Sequence, residues 1–112
     1  MTVLNEAIAR EALAVIAAGG FGDMVKGVVD VERGLLAIDG ELHADLESLL
    51  LENGSRQAAL WGINLYPEMD DEDFIEFDSL INIRPMQGNR SRGVEDEAVR
   101  AQIVEVVNRW IR

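Results

Sequence analysis

The sequence predicts an α+β domain: an antiparallel β-meander of about five strands with an N-terminal and a C-terminal helix packed on one face. Three observations carry that prediction. Apolar residues recur at helical spacing near both ends of the chain, the middle changes to alternation with a period of two, and Gly-containing turn dipeptides punctuate the alternating part. With 112 residues, 48% of them hydrophobic, the chain has the length of one domain, residues 1–112, and enough apolar material to close a core without staples.

The first helix is read from Leu4, Ile8, Ala12, Val15 and Ile16, which fall on one helical stripe. Thr2 and Asn5 are its N-cap candidates, and Gly19-Gly20 is its stop. In "MVKGVVDV" the residues Val25, Val29 and Val31 alternate with Lys26, Asp30 and Glu32. "LLAI" follows after the Arg33-Gly34 break, and Asp39-Gly40 makes a hairpin-type turn. "ELHADLES" places Leu42, Ala44 and Leu46 on one side and Glu41, His43, Asp45 and Glu47 on the other, so a third strand is expected there. Leu42, Leu46, Leu49 and Leu50 also fit a helix face, but Asn53-Gly54 follows as a second hairpin signal and favours the strand. Ala59, Trp61, Ile63 and Leu65 form the apolar face of the next strand, with Gly62, Asn64 and Tyr66 opposite and Pro67 at its end. "FIEFDSLINIR" is expected as the fifth, with Ile75, Phe77, Ser79, Ile81 and Ile83 facing inward. Val99, Ile103, Val106, Val107 and Trp110 then mark a closing helix, which Glu95, Asp96 and Glu97 open and Arg109 and Arg112 close, as the helix dipole favours.

Two amphipathic helices covering one face of the sheet leave the other face polar. It would carry Asp30, Glu32, Glu41, His43, Asp45, Asn64, Glu76, Asp78, Asn82 and Arg84. Solvation suffices for such a face, and a shallow site or a subunit contact is the functional alternative. Leu49, Leu51, Leu60 and Val28 fall on it as well. They are too apolar for free solvent, which predicts a homodimer that uses this face or a strand edge.

Composition excludes several functions. Without cysteine there is no disulfide framework, thiolate zinc site or thiol nucleophile. The longest nearly apolar run, Ala12 to Phe21, is too short for a bilayer and contains Gly19-Gly20, and no basic region precedes an apolar one at the N-terminus. A cytoplasmic protein without membrane contact is expected. A formal net charge of −11 argues against nucleic acid, because nonspecific binding to polyphosphates needs clustered Lys and Arg.

The segments "VVDVERGLLAIDGELHADLE", "LLLENGS", "LWGINLYPE" and "SLINIRPMQGNRS", in this order and followed by an amphipathic helix, resemble a family of short prokaryotic proteins described only as a domain of unknown function. The resemblance covers nearly the whole chain beyond the first helix and implies no activity or catalytic residue.

Two constellations remain for chemistry. The window Ser79 to Val94 holds three arginines and no acid, directly after seven acids between Glu68 and Asp78. Gly88 and Gly93 enclose Asn89, Arg90, Ser91 and Arg92 with the spacing of a phosphate loop, but Val94-Glu95 stand where Lys and Ser or Thr would reach the phosphates and magnesium. Arg84, Gln87, Asn89, Arg90, Ser91 and Arg92 instead offer many donors for a carboxylate or a single phosphate. The intramolecular alternative pairs these arginines with the upstream acids.

The second constellation is Glu41-Leu42-His43-Ala44-Asp45. On a strand, residues two apart share a face about 6.5 Å apart, so His43 could work with Asp45 or Glu41 as an acid–base pair. It is the only histidine, and without a second His or a Cys the ligand set of a zinc site is missing, so neither a metal nor a cofactor is expected. Two functions follow. One is a noncatalytic module that binds a small anion or an acidic segment through the Arg84 to Arg92 loop. The other is a small hydrolase- or lyase-like enzyme using His43 with Asp45 or Glu41, and Arg84 or Arg90 as an anion clamp.

Overall fold

β2 (Val25–Asp30) is the strand around which the sheet is built. In the computed structural model, which describes residues 1–112, it pairs antiparallel with β3 (Leu35–Ile38) on one side and β4 (Leu60–Leu65) on the other. β1 (Thr2–Val3) and β5 (Ile75–Glu76) complete a five-stranded antiparallel sheet in the order β1-β3-β2-β4-β5. The fold is α+β, with three helices: α1 (Arg10–Ala18), α2 (His43–Glu52) and α3 (Glu97–Trp110).

This order is not a meander. β3 and β4 are both antiparallel to β2, so they run parallel to each other and cannot be joined by a tight turn. α2 supplies the crossover, and residues 41–51 form this helix instead of the expected strand. The physical reason lies on the sheet. Val28, Ala37 and Leu60 project from the face expected to be polar, and α2 seals them with Leu46 and Leu50, all five fully buried. Each of those two leucines contributes about 1.5–3 kcal/mol by burial, which outweighs the local alternation of "ELHADLES". Asn53-Gly54 is the helix stop, with Gly54 at φ 98°. Helix ends and tight hairpins both require positive φ, so the dipeptide did not distinguish them. The true hairpin turn is Arg33-Gly34, between β2 and β3.

The other face of the sheet carries the larger core. Val25, Val29, Leu36, Ile38, Trp61, Ile63 and Leu65 meet Leu13 and Ala17 of α1 and Ile103, Val106 and Val107 of α3. Both terminal helices therefore lie on one face, with α2 alone on the opposite one. α3 matches its expected stripe, and Asp96 caps it by accepting from Ala98 N at 2.8 Å. α1 is shorter than expected and buries Leu13 and Ala17, while Val15 is 73% exposed. The predicted stripe mixed two elements: Thr2–Val3 is an edge strand on β3, Leu4 N donates to Leu36 O, and Ile8 bridges to Ile111 beyond α3.

The fifth strand is also shorter than its pattern. Only Ile75–Glu76 joins the ladder on β4. Ser79 then caps a 3-10 turn at Leu80–Asn82, and the Asn82 side chain takes the place of a strand. It accepts from Gly62 N at 2.8 Å and donates to Gly62 O at 2.9 Å, completing the ladder with an amide from a side chain. The close approach needs glycine, because a Cβ on Gly62 would lie 2.5 Å from Ser79 Cβ. No helix is long and apolar enough to cross a membrane.

Candidate functional site

The arginine-rich stretch after β5 is closed on itself. Arg84 and Asn89 exchange backbone hydrogen bonds, Arg84 N to Asn89 O at 2.7 Å and Asn89 N to Arg84 O at 3.2 Å. Buried Asn89 donates to Asn82 O, Ser91 O and Gly93 O and accepts from Glu95 N. The half-buried Arg84 guanidinium stacks 4.1 Å from the Trp61 ring centre and donates to Gln57 O and Leu60 O. Burial lowers its pKa from the usual arginine value. Gln87 Nε2 donates to Ala58 O. Backbone N–H groups of Arg90 and Ser91 do grip a carboxylate, that of Glu95, at 2.6 and 3.0 Å. These two bonds hold the Glu95 carboxyl below its ordinary pKa. Arg92 pairs with Asp78 at 2.6 Å through Nε, the one ion pair between the loop and the upstream acids. Asp71 is held from α1 by Arg10 at 2.7 Å. Of the six loop residues proposed from sequence, Gln87 and Asn89 border a cleft of about 350 Å³ with Glu32, Arg56, Glu95 and Asp96, and Arg92 borders another with charged groups.

That cleft, of about 490 Å³, opens where α2 stops covering the sheet. Its floor is the continuation of the face beneath α2: Lys26 from β2, Asn64 from β4 and Glu76 from β5. His43 and Ala44 enter from the first turn of α2, Arg92 and Asp78 from the far side, and Leu42 and Leu80 form an exposed apolar rim. Asn64 Nδ2 donates to Glu76 Oε1 at 2.8 Å and to Asp78 O at 3.2 Å, and Tyr66 OH donates to the same Glu76 oxygen at 3.2 Å. Burial, reinforced by the Glu76 charge, raises the Tyr66 phenol above its ordinary pKa. His43 is buried, with Nε2 2.8 Å from Ile63 O. A carbonyl only accepts, so Nε2 carries the proton and Nδ1 is the free acceptor of the neutral ring. Desolvation lowers the His43 pKa below 6.5 and Lys26 adds to the effect, against Ile63 O, Asn64 and Asp78.

Asp45 and Glu41 do not join His43 there. Positions two apart on a helix are separated by about 200° around the axis, which parts Asp45 from His43, and Glu41 lies before α2 begins at His43. Asp45 is exposed, and Glu41 borders a neighbouring cleft of about 650 Å³ between the end of α1 and the start of α2. No group of three or more His, Asp and Glu side chains converges to hold a metal ion.

A family model described as a protein of unknown function, DUF5674, matches residues 2–110. The chain belongs to this family. No curated protein and no solved structure matches it. For this family member strand parity put Asn64, Glu76 and Asp78 on one polar face with His43, among ten residues and without assigning them to a site. Lys26 and Tyr66 were legible in the same alternation. The entry of His43 from a helix terminus was not, because it depends on the crossover.

Proposed function

We propose that the protein is a noncatalytic module that binds a small molecule bearing a carboxylate or single phosphate, in the cleft at the start of α2. One observation carries the reading: Arg92 and Lys26 border the same cleft as the first turn of α2, which has no side-chain cap. Two cations and a helix N-terminus favour a small anion, while Glu76 and Asp78 beside them repel a polyphosphate. The remaining loop donors, Arg84, Gln87, Asn89 and the Arg90 and Ser91 N–H groups, already have acceptors within the chain. Thermal melting in sodium acetate against sodium chloride of equal ionic strength tests the reading, since a ligand of the folded state raises the melting temperature. Acetate should stabilise the unmutated protein and the Arg90→Ala variant, and Arg92→Ala or Lys26→Ala should remove the shift. Equal melting temperatures in the two salts, or a shift lost only in Arg90→Ala, overturns the reading.

A second reading, a small hydrolase- or lyase-like enzyme, is favoured by the neutral His43 that lines the same cleft as Arg92. Its carboxylate would be Asp78 or Glu76, in place of Asp45 or Glu41. His43→Gln separates the two readings: a binding module keeps its acetate shift, whereas an enzyme loses turnover of any substrate found for it.

A further inference from the structure

We infer that the ligand of this cleft is a monocarboxylate with an apolar tail, and that the tail lies in the neighbouring cleft between the end of α1 and the start of α2. The inference rests on the reading of the first cleft as the binding site and names the rest of the ligand.

Three apolar residues that the core does not use supply the argument. Phe21, Met24 and Leu42 belong to neither core cluster, yet all three line the second cleft, together with Ile16 and Val25. Phe21 stands in the turn Gly19-Gly20-Phe21-Gly22 and is 52% exposed, and Leu42 is 57% exposed. Apolar side chains left uncovered around one concavity mark a surface that takes an apolar group, and about 650 Å³ is the size of a small-molecule site.

Continuity with the first cleft says which molecule brings that group. Met24, Lys26 and Leu42 line both clefts, so an occupant of one touches residues of the other. Lys26 stands at this boundary. Its ammonium lies 5.4 Å from the Phe21 ring centre and has no acidic partner among the ion pairs. Contact with an exposed ring is weak, so the ammonium can turn to a carboxylate in the first cleft while its stem packs along the tail. The far end of the ligand is uncharged, because Asp39 and Glu41 border the second cleft and repel a second carboxylate.

NMR titration of the full chain with straight-chain carboxylates from acetate to octanoate tests this, read at the His43 and Ala44 amides for the first cleft and at the Gly20 and Phe21 amides for the second. Affinity should rise about twofold to fourfold with each methylene, and octanoate should move both pairs of amides where acetate moves only the first. Octanedioate, with a carboxylate at each end, and 1-octanol, with none, should each bind at least about tenfold more weakly than octanoate. Phe21→Ala should flatten the rise with chain length; the ring is exposed on a turn, so the fold should persist. If acetate moves the His43 and Ala44 amides and octanoate binds no more tightly, the tail is overturned and the anion cleft stands. Octanedioate or octanol as tight as octanoate, or an undiminished rise in Phe21→Ala, also overturns the inference. If octanoate moves only Gly20 and Phe21, or if no carboxylate moves any of the four amides, the inference and the cleft reading both fail.

Discussion

Asn82 and Asn89 convert the stretch after β5 into a clamp, where the sequence put Asn82 on a polar sheet face and Asn89 among the donors for an external anion. Asn82→Ala would leave Gly62 N–H and C=O without partners in a buried position, at a cost of about 3 kcal/mol. Urea unfolding checks this; a loss below about 1 kcal/mol would mean that the side chain does not serve as a ladder partner. Arg92 behaves differently. Its pair with Asp78 is more than one-third exposed on both sides, so Arg92→Ala should change stability by less than about 1 kcal/mol and report on binding alone. His43 gives a pH signature. Its folded pKa is depressed, so the unfolded chain takes up the proton first as pH falls, and folding stability decreases from about pH 6.5 downward until the folded ring also titrates. Lys26 and Asp78 are the charges that bear on the ring. As the chain has one histidine, a stability profile between pH 7 and 5.5 isolates it: the unmutated protein should lose stability in that interval and His43→Gln should lose much less. Parallel profiles would contradict the buried neutral ring.

At the scale of elements, α2 is where sequence and structure part. Periodicity read α3 correctly because its stripe, its acidic opening and its basic end agree with one another. For residues 41–51 two periods fitted, and the deciding fact, that Val28, Ala37 and Leu60 needed a cover, belongs to strands distant in sequence. β1 was missed because two residues cannot show a period, and its neighbours Leu4 and Ile8 continued the stripe of α1. The ladder of β5 ends early because Asn82 replaces backbone with side chain, which no pattern of apolar residues reports. Leu46→Ala, which removes packing between α2 and the sheet, should cost about 2–5 kcal/mol. Gly54→Ala, which forces a Cβ into positive φ at the end of α2, should cost about 1 kcal/mol or more. Were 41–51 an alternating strand, Leu42 would face the core beside Leu46 and Leu42→Ala would cost as much as Leu46→Ala; with α2 as described, Leu42 is 57% exposed and Leu42→Ala is much the cheaper change.

Across the whole molecule, the crossover of α2 decides both what is covered and what is left open. It seals Val28 and Leu60, which removes the sheet face as a surface for the expected homodimer. The strand-edge alternative stays open at β1 and β5, and so do the exposed apolar residues that remain, Leu80, Ile83 and Met86 among them. Light scattering at high micromolar concentration checks this: Met86→Asp should convert a dimeric mass into a monomeric one, and a monomeric mass for the unmutated chain removes the dimer. The part of the face that α2 leaves bare is the cleft, where the proposed small carboxylate binds beside Arg92, and not at the Arg90 and Ser91 amides, which Glu95 occupies. The most direct measurement is an acetate titration followed over all backbone and side-chain amide resonances. Binding in the cleft predicts saturable shifts at His43, Ala44 and the Asn64 side chain, with the Arg90 and Ser91 amides unmoved; shifts confined to Arg90 and Ser91 would contradict it.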